Sequence, residues 1–144
     1  MISAKCIRIY NGGVFIKLKK ILLSVLTLGA LALELLPGGV ILRFANPEGE
    51  PWIHTYNYFS LTPFGYANFG PFIVAILTCV LLVLAVIYLF KQSKGLNTAV
   101  MIVSGIATAM SLMPLMFGIE YITVIGVIIT LLLAGTFGCC FIKE

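Results

Sequence analysis

The feature that most restricts this chain is a pair of long runs without a single charge, residues 71–90 (PFIVAILTCVLLVLAVIYLF) and 121–142 (YITVIGVIITLLLAGTFGCCFI). A hydrocarbon core about 30 Å thick is crossed by about 20 apolar residues in a helix. Within it every backbone amide needs a partner in its own segment, which a helix supplies and an open strand does not. Two more stretches reach that length, one from Leu18 through ILLSVLTLGALALELL to Leu36, the other from Leu96 to Phe117. The expected fold is an all-α membrane protein, a four-transmembrane-helix bundle with spans at 18–36, 71–90, 96–117 and 121–142.

Composition agrees. The chain has 144 residues, 61% hydrophobic and 10% charged, where a soluble domain carries about 25% charged residues. Lipid is the solvent such a surface tolerates. The length allows a single domain and leaves no room for a separate catalytic module.

The net charge of +4 does not point to nucleic acid, because five of the nine basic residues (Lys5, Arg8, Lys17, Lys19, Lys20) precede the first apolar run. Lysines beside spans set membrane orientation. Lys91 and Lys94 in the 91–95 turn, and Lys143, fall on the same side; Glu48, Glu50 and the 118–120 turn with Glu120 fall on the other. Both termini are therefore expected in the cytoplasm. The small size and lack of sorting signals point to a bacterial plasma membrane. A cleaved leader is the competing reading of residues 1–32, since Ala30-Leu31-Ala32 resembles a cleavage site, but about 20 residues of basic start is long for one. Residues 1–17 are expected to lie along the cytoplasmic interface. A hairpin turning at Asn11-Gly12-Gly13 is the alternative.

Residues 37–70 form the one long external connection. Pro37-Gly38-Gly39 ends the first helix. VILRFA (40–45) and WIHTYNYFSL (52–61) have strand character, and NPEGEP (46–51) between them is dense in turn formers. A small extracellular β-hairpin follows, and residues 62–71 are expected as an irregular loop. A helix, an external β element with Trp52 and three further helices resemble the topology of claudin-like tetraspan proteins. Those carry a cysteine pair after the tryptophan; this loop has none, and no functional residue is carried over.

Few residues offer chemistry. Glu34 is the one ionisable side chain inside an apolar run, and intramembrane acids default to functional sites. Its functional reading is a proton or cation site; the plainer one places it in the last turn before Pro37, near the outer headgroups, bonded to a loop group. His54 is the only histidine, far from a metal constellation, and Met110, Met113 and Met116 read as packing rather than a Cu(I) ladder. No metal or other cofactor is expected. Cys79 reads as a small hydrophobe. Cys139 and Cys140 would accept an acyl chain, with packing the preferred reading. Arg43 is expected to pair with Glu48, Glu50 or Glu34. Trp52, His54, Tyr56, Tyr58, Phe64, Tyr66 and Phe69 form the candidate surface for a partner or lipid headgroups. Gly126, Thr130, Ala134 and Gly138 recur every four residues and predict a packing ridge against the third span.

No nucleophile or acid/base pair is visible, so an enzyme is not expected. The preferred function is structural or accessory, with membrane lipids and a membrane-protein partner or a second copy as partners. The alternative is an oligomeric channel or transporter for ions or small solutes, using Glu34 and hydroxyls of the spans.

Overall fold

The computed structural model describes the backbone of residues 2–65 and 68–142 and the side chains of 14–65 and 68–142. In chain order it contains α1 (Ile2–Glu34), β1 (Val40–Phe44), β2 (Trp52–Tyr56), α2 (Leu61–Gly65), α3 (Gly70–Phe90), α4 (Lys94–Ser111) and α5 (Val124–Cys139). Two 3₁₀ turns, Met113–Met116 and Ile119–Tyr121, join α4 to α5.

Two stretches are long and apolar enough to cross a membrane, Gly70–Phe90 and Lys94–Met116. The other two helices fall short. α5 has 16 residues, about 24 Å at 1.5 Å per residue. In α1 the uncharged part lies between Lys20 and Glu34, about 20 Å of helix. The lengths alone thus give two crossings where the sequence suggested four.

Three expectations need correction. The first twenty residues make no Asn-Gly hairpin, because α1 runs unbroken through Asn11-Gly12-Gly13. The third helix does not run on to Phe117. It stops at Ser111, and Pro114 falls within the following 3₁₀ turn, as expected of a residue that cannot donate to the α-helical ladder. Residues 62–71 are not wholly irregular, since α2 occupies Leu61–Gly65.

The hairpin pairs β1 with β2 antiparallel, Val40 opposite Tyr56 and Phe44 opposite Trp52. Its approach from α1 needs a left-handed residue, supplied by Gly38 at φ 96°, a conformation that costs glycine little. β1 lies against the helices with Val40 and Leu42 buried, whereas Trp52 to Thr55 of β2 are exposed.

α3 packs on α4, α4 on α5, α5 on α1 and α1 on α3. Their shared core includes Leu23, Ala30, Val74, Leu81, Ala107 and Leu133. Small residues set the close approaches. A Cβ at Gly29 would stand 3.7 Å from Leu132, one at Gly135 3.5 Å from Leu26, and one at Gly105 3.2 Å from Phe137. At one end lysines cap the helices: Lys19 Nζ donates to the Ile142 carbonyl at 3.0 Å and Lys20 Nζ to the Leu89 carbonyl at 3.2 Å. A cation beside C-terminal carbonyls is favoured by the helix dipole. The hairpin covers the opposite end, where the Thr123 hydroxyl accepts from Gly126 N to cap α5 and donates to the Gly39 carbonyl.

Candidate functional site

Glu34, the last residue of α1, is fully buried. Its Oε1 accepts a 2.7 Å hydrogen bond from the Thr78 hydroxyl of α3. Thr78 lies eight residues beyond Gly70, about 12 Å along the helix axis from the hairpin end of α3. The acid is therefore not bonded to a loop group at the rim. The hairpin crosses above it, and Tyr58 N donates to the Glu34 carbonyl at 3.1 Å. The second oxygen, Oε2, is buried and has no partner among the described residues. Such a group carries the desolvation penalty of an unmet acceptor, about 1–3 kcal/mol.

The surrounding hydroxyls do not form a chain leading to it. Thr27 donates to the Leu23 carbonyl, Ser104 to Met101, Thr108 to Ser104, Thr130 to Gly126 and Thr136 to Leu132, each within its own helix. Of the hydroxyls named here, Thr78 alone bonds to Glu34. Glu34 lines none of three cavities formed by the described residues.

Tyr58 leaves the surface set in which the sequence placed it. Its side chain is 2% exposed, with the ring against Gly39, where an added Cβ would stand 2.9 Å away. Burial, and then the nearby Glu34 carboxyl, pushes its phenol above the ordinary value, so the hydroxyl keeps its proton as a donor. The alternation Trp52, His54, Tyr56, Tyr58 hid this: β2 ends at Tyr56, and the chain then turns back over Glu34.

The other aromatics divide. Trp52, His54, Phe64 and Phe69 are exposed and Tyr56 is half-buried; Tyr66 lies outside the described residues. His54 stacks edge-on against Phe44 at 5.6 Å. Phe64 meets Phe69 and Phe72 edge-on at 5.1 and 5.5 Å, fastening α2 to the start of α3. Among the described residues no three of His, Cys, Asp and Glu gather as a metal set.

Charge pairing also differs from expectation. Arg43 bonds not to Glu48, Glu50 or Glu34 but to Glu120, tying β1 to the second 3₁₀ turn. Glu120 lies in that turn ahead of α5, which Thr123 caps. Met113 packs under Gly70, while Met116 is exposed. Cys139 and Cys140 are buried in the core cluster. Of the small-residue series on α5, Gly126 faces Tyr58 and Gly39, and Gly138 has nothing within 4 Å of where a Cβ would stand. The series therefore does not pack along its whole length, and Ile129, Leu133 and Thr136 form the buried face.

Comparison with protein-family models, curated proteins and solved structures gives no match, so the reading of this site rests on its own residues.

Proposed function

We propose that the chain is a small integral membrane protein of four membrane-embedded helices. Its role is structural or accessory, and it recognises a membrane-protein partner through the exposed strand of its hairpin. The observation that carries the membrane part is where the apolar surface lies. Ile76, Val80, Val83 and Ile87 on α3, Ile102 and Ile106 on α4, and Val124, Val127 and Leu131 on α5 all face outward. Only 33% of the α3 window and 22% of the Lys94–Met116 window are buried, the reverse of a soluble core helix. The shorter α1 and α5 fit beside them because the hairpin fills the space above α1. The lysines gathered at one end support an orientation with that end in the cytoplasm.

For the partner surface, the supporting observation is β2. Trp52 and Ile53 are 61% and 57% exposed on an edge strand whose outer backbone groups are open to pairing. Exposed aromatic and apolar edges of this kind are uncommon without a partner. The second reading, an oligomeric channel or transporter, draws on the unpartnered Oε2 of Glu34. The self-bonded hydroxyls and the position of the cavities favour the first.

The test is extraction in mild detergent, sizing, and photocrosslinking from position 53. A second protein at fixed stoichiometry, weakened at least about ten-fold by Trp52→Ala or Ile53→Asp, is expected; exposed substitutions of this kind leave folding within about 0.5 kcal/mol. A homo-oligomer that carries cations, stops with Glu34→Gln and ignores the hairpin substitutions would replace this reading with the second.

A further inference from the structure

The cavity between the hairpin ends of α4 and α5 has a volume of about 130 Å³. An apolar cavity of about 150 Å³ stays dry and admits a benzene-sized guest, so this one has room for the first few methylenes of a chain. Its walls include Leu112, Pro114, Leu115, Ile122, Val127 and Leu131. Four of them (Leu112, Leu115, Val127 and Leu131) are also exposed on the flank of the molecule. The mouth therefore opens sideways between two helices, toward the hydrocarbon in the membrane reading on which this inference rests.

Hydrogen bonding inside the cavity is nearly closed. Ser111 donates to the Thr108 carbonyl at 2.7 Å, Thr123 to Gly39 at 2.8 Å and Thr130 to Gly126 at 2.9 Å. Tyr58, 2% exposed as a residue, lines the same space, and its hydroxyl makes no hydrogen bond among the described residues. Gly126 makes room for it, since a Cβ there would stand 3.2 Å from the Tyr58 oxygen. Tyr121, half-buried on the same lining, likewise makes no hydrogen bond through its hydroxyl among the described residues. The Tyr58 hydroxyl beside Gly126 is a donor against a hydrocarbon-lined wall, and it calls for a guest with an acceptor at the head of an alkyl chain. A hydroxyl with no protein partner gains a net hydrogen bond from such an acceptor, worth about 1 kcal/mol.

We propose that this slot is a lateral lipid site, taking one acyl chain of an outer-leaflet phospholipid with its ester carbonyl accepting a hydrogen bond from Tyr58. The site would hold a lipid as a fixed part of the protein's flank, beside the hairpin that the partner contacts.

The experiment uses the full chain, delipidated in detergent, titrated with a diacyl phosphatidylcholine and with its diether analogue, which keeps chains and headgroup but lacks the carbonyls. The wild type is expected to bind the ester lipid saturably and about five-fold more tightly than the ether lipid, the ratio one hydrogen bond of about 1 kcal/mol gives. Tyr58→Phe should bring ester binding down to the ether level and leave ether binding unchanged. Leu131→Trp, at the exposed mouth, should block both and serves even if Tyr58→Phe folds poorly. Equal affinities for the two lipids with no effect of Tyr58→Phe, or ester binding that survives Leu131→Trp, would overturn the proposal. So would the absence of saturable binding in protein that needs detergent to stay folded. A chain that stays folded and monodisperse without amphiphile would instead remove the membrane reading itself.

Discussion

The α3–α4 pair and the α1–α5 pair solve the same problem differently. α3 is long, uncharged and outward-apolar along its whole length, and α4 with its 3₁₀ extension matches it. The uncharged part of α1 is bounded by lysines midway along the helix and by a buried acid at its end, and α5 is only 16 residues. Non-helical chain lies over the short pair: β1, the Gly38–Gly39 approach and Tyr58 fill the volume above Glu34 and beside α5. A short helix in a bilayer leaves backbone to be satisfied by other means. In the four-helix reading proposed above, the bonds from Tyr58 N to the Glu34 carbonyl and from Thr123 to the Gly39 carbonyl would do that work.

The largest expected effect comes from placing a charge on each pair. Val83 on α3 and Val25 on α1 are both exposed near mid-helix. A lysine at the centre of a span costs about 2.5–3.5 kcal/mol on insertion scales, so Val83→Lys and Val25→Lys should each reduce insertion by that amount in a translocation assay. A costly Val83→Lys beside a silent Val25→Lys would break the comparison, leaving only the two long helices in hydrocarbon. The next effect concerns the α3–α4 seam. A Cβ at Gly70 would stand 2.9 Å from the Met110 carbonyl oxygen and 2.9 Å from Met113 Cβ. Backbone yields little, so Gly70→Ala should lower unfolding stability in micelles by about 1–3 kcal/mol. Gly138→Ala on α5, with open space around it, should be neutral or gain up to about 1 kcal/mol from helix propensity. Equal losses at both positions would mean that α5 is as tightly seated as α3.

How much of this was legible depends on the range of the interaction. α3 stands out in sequence because Pro71 and Lys91 bracket an uninterrupted apolar run, and the hairpin because NPEGEP separates two β-branched and aromatic segments. Local rules misled where a neighbour decided the outcome. Asn11-Gly12-Gly13 reads as a turn, yet the helix continues through it. The Arg43–Glu120 pair joins residues 77 apart, and no pattern in either segment announces it. Tyr58 shares the spacing of the surface aromatics, and only the return of the chain over α1 takes it inside. The depth of Glu34 was hidden for the same reason: a carboxyl three residues before Pro37 looks terminal until Thr78 shows how far down α3 it sits.

The smallest effect is the most telling for Glu34. In Glu34→Gln the amide oxygen can still accept from Thr78, and the amide nitrogen replaces one unpartnered atom by another, so stability should change by less than about 1 kcal/mol. Glu34→Met removes both oxygens at similar volume and frees Thr78 to donate to the Val74 carbonyl, as Thr27, Thr108, Thr130 and Thr136 donate to carbonyls four residues back. Replacing a half-met buried polar group by an apolar one of the same shape is neutral or favourable, so Glu34→Met should equal or slightly exceed the wild type in thermal unfolding. Both outcomes together would mean that folding does not require this carboxyl, and whatever keeps it in the chain lies in a second protein or a solute. A loss of several kcal/mol in Glu34→Gln would reverse that conclusion, since only a charge can distinguish the two side chains so strongly, and it would place an unseen cation beside Oε2.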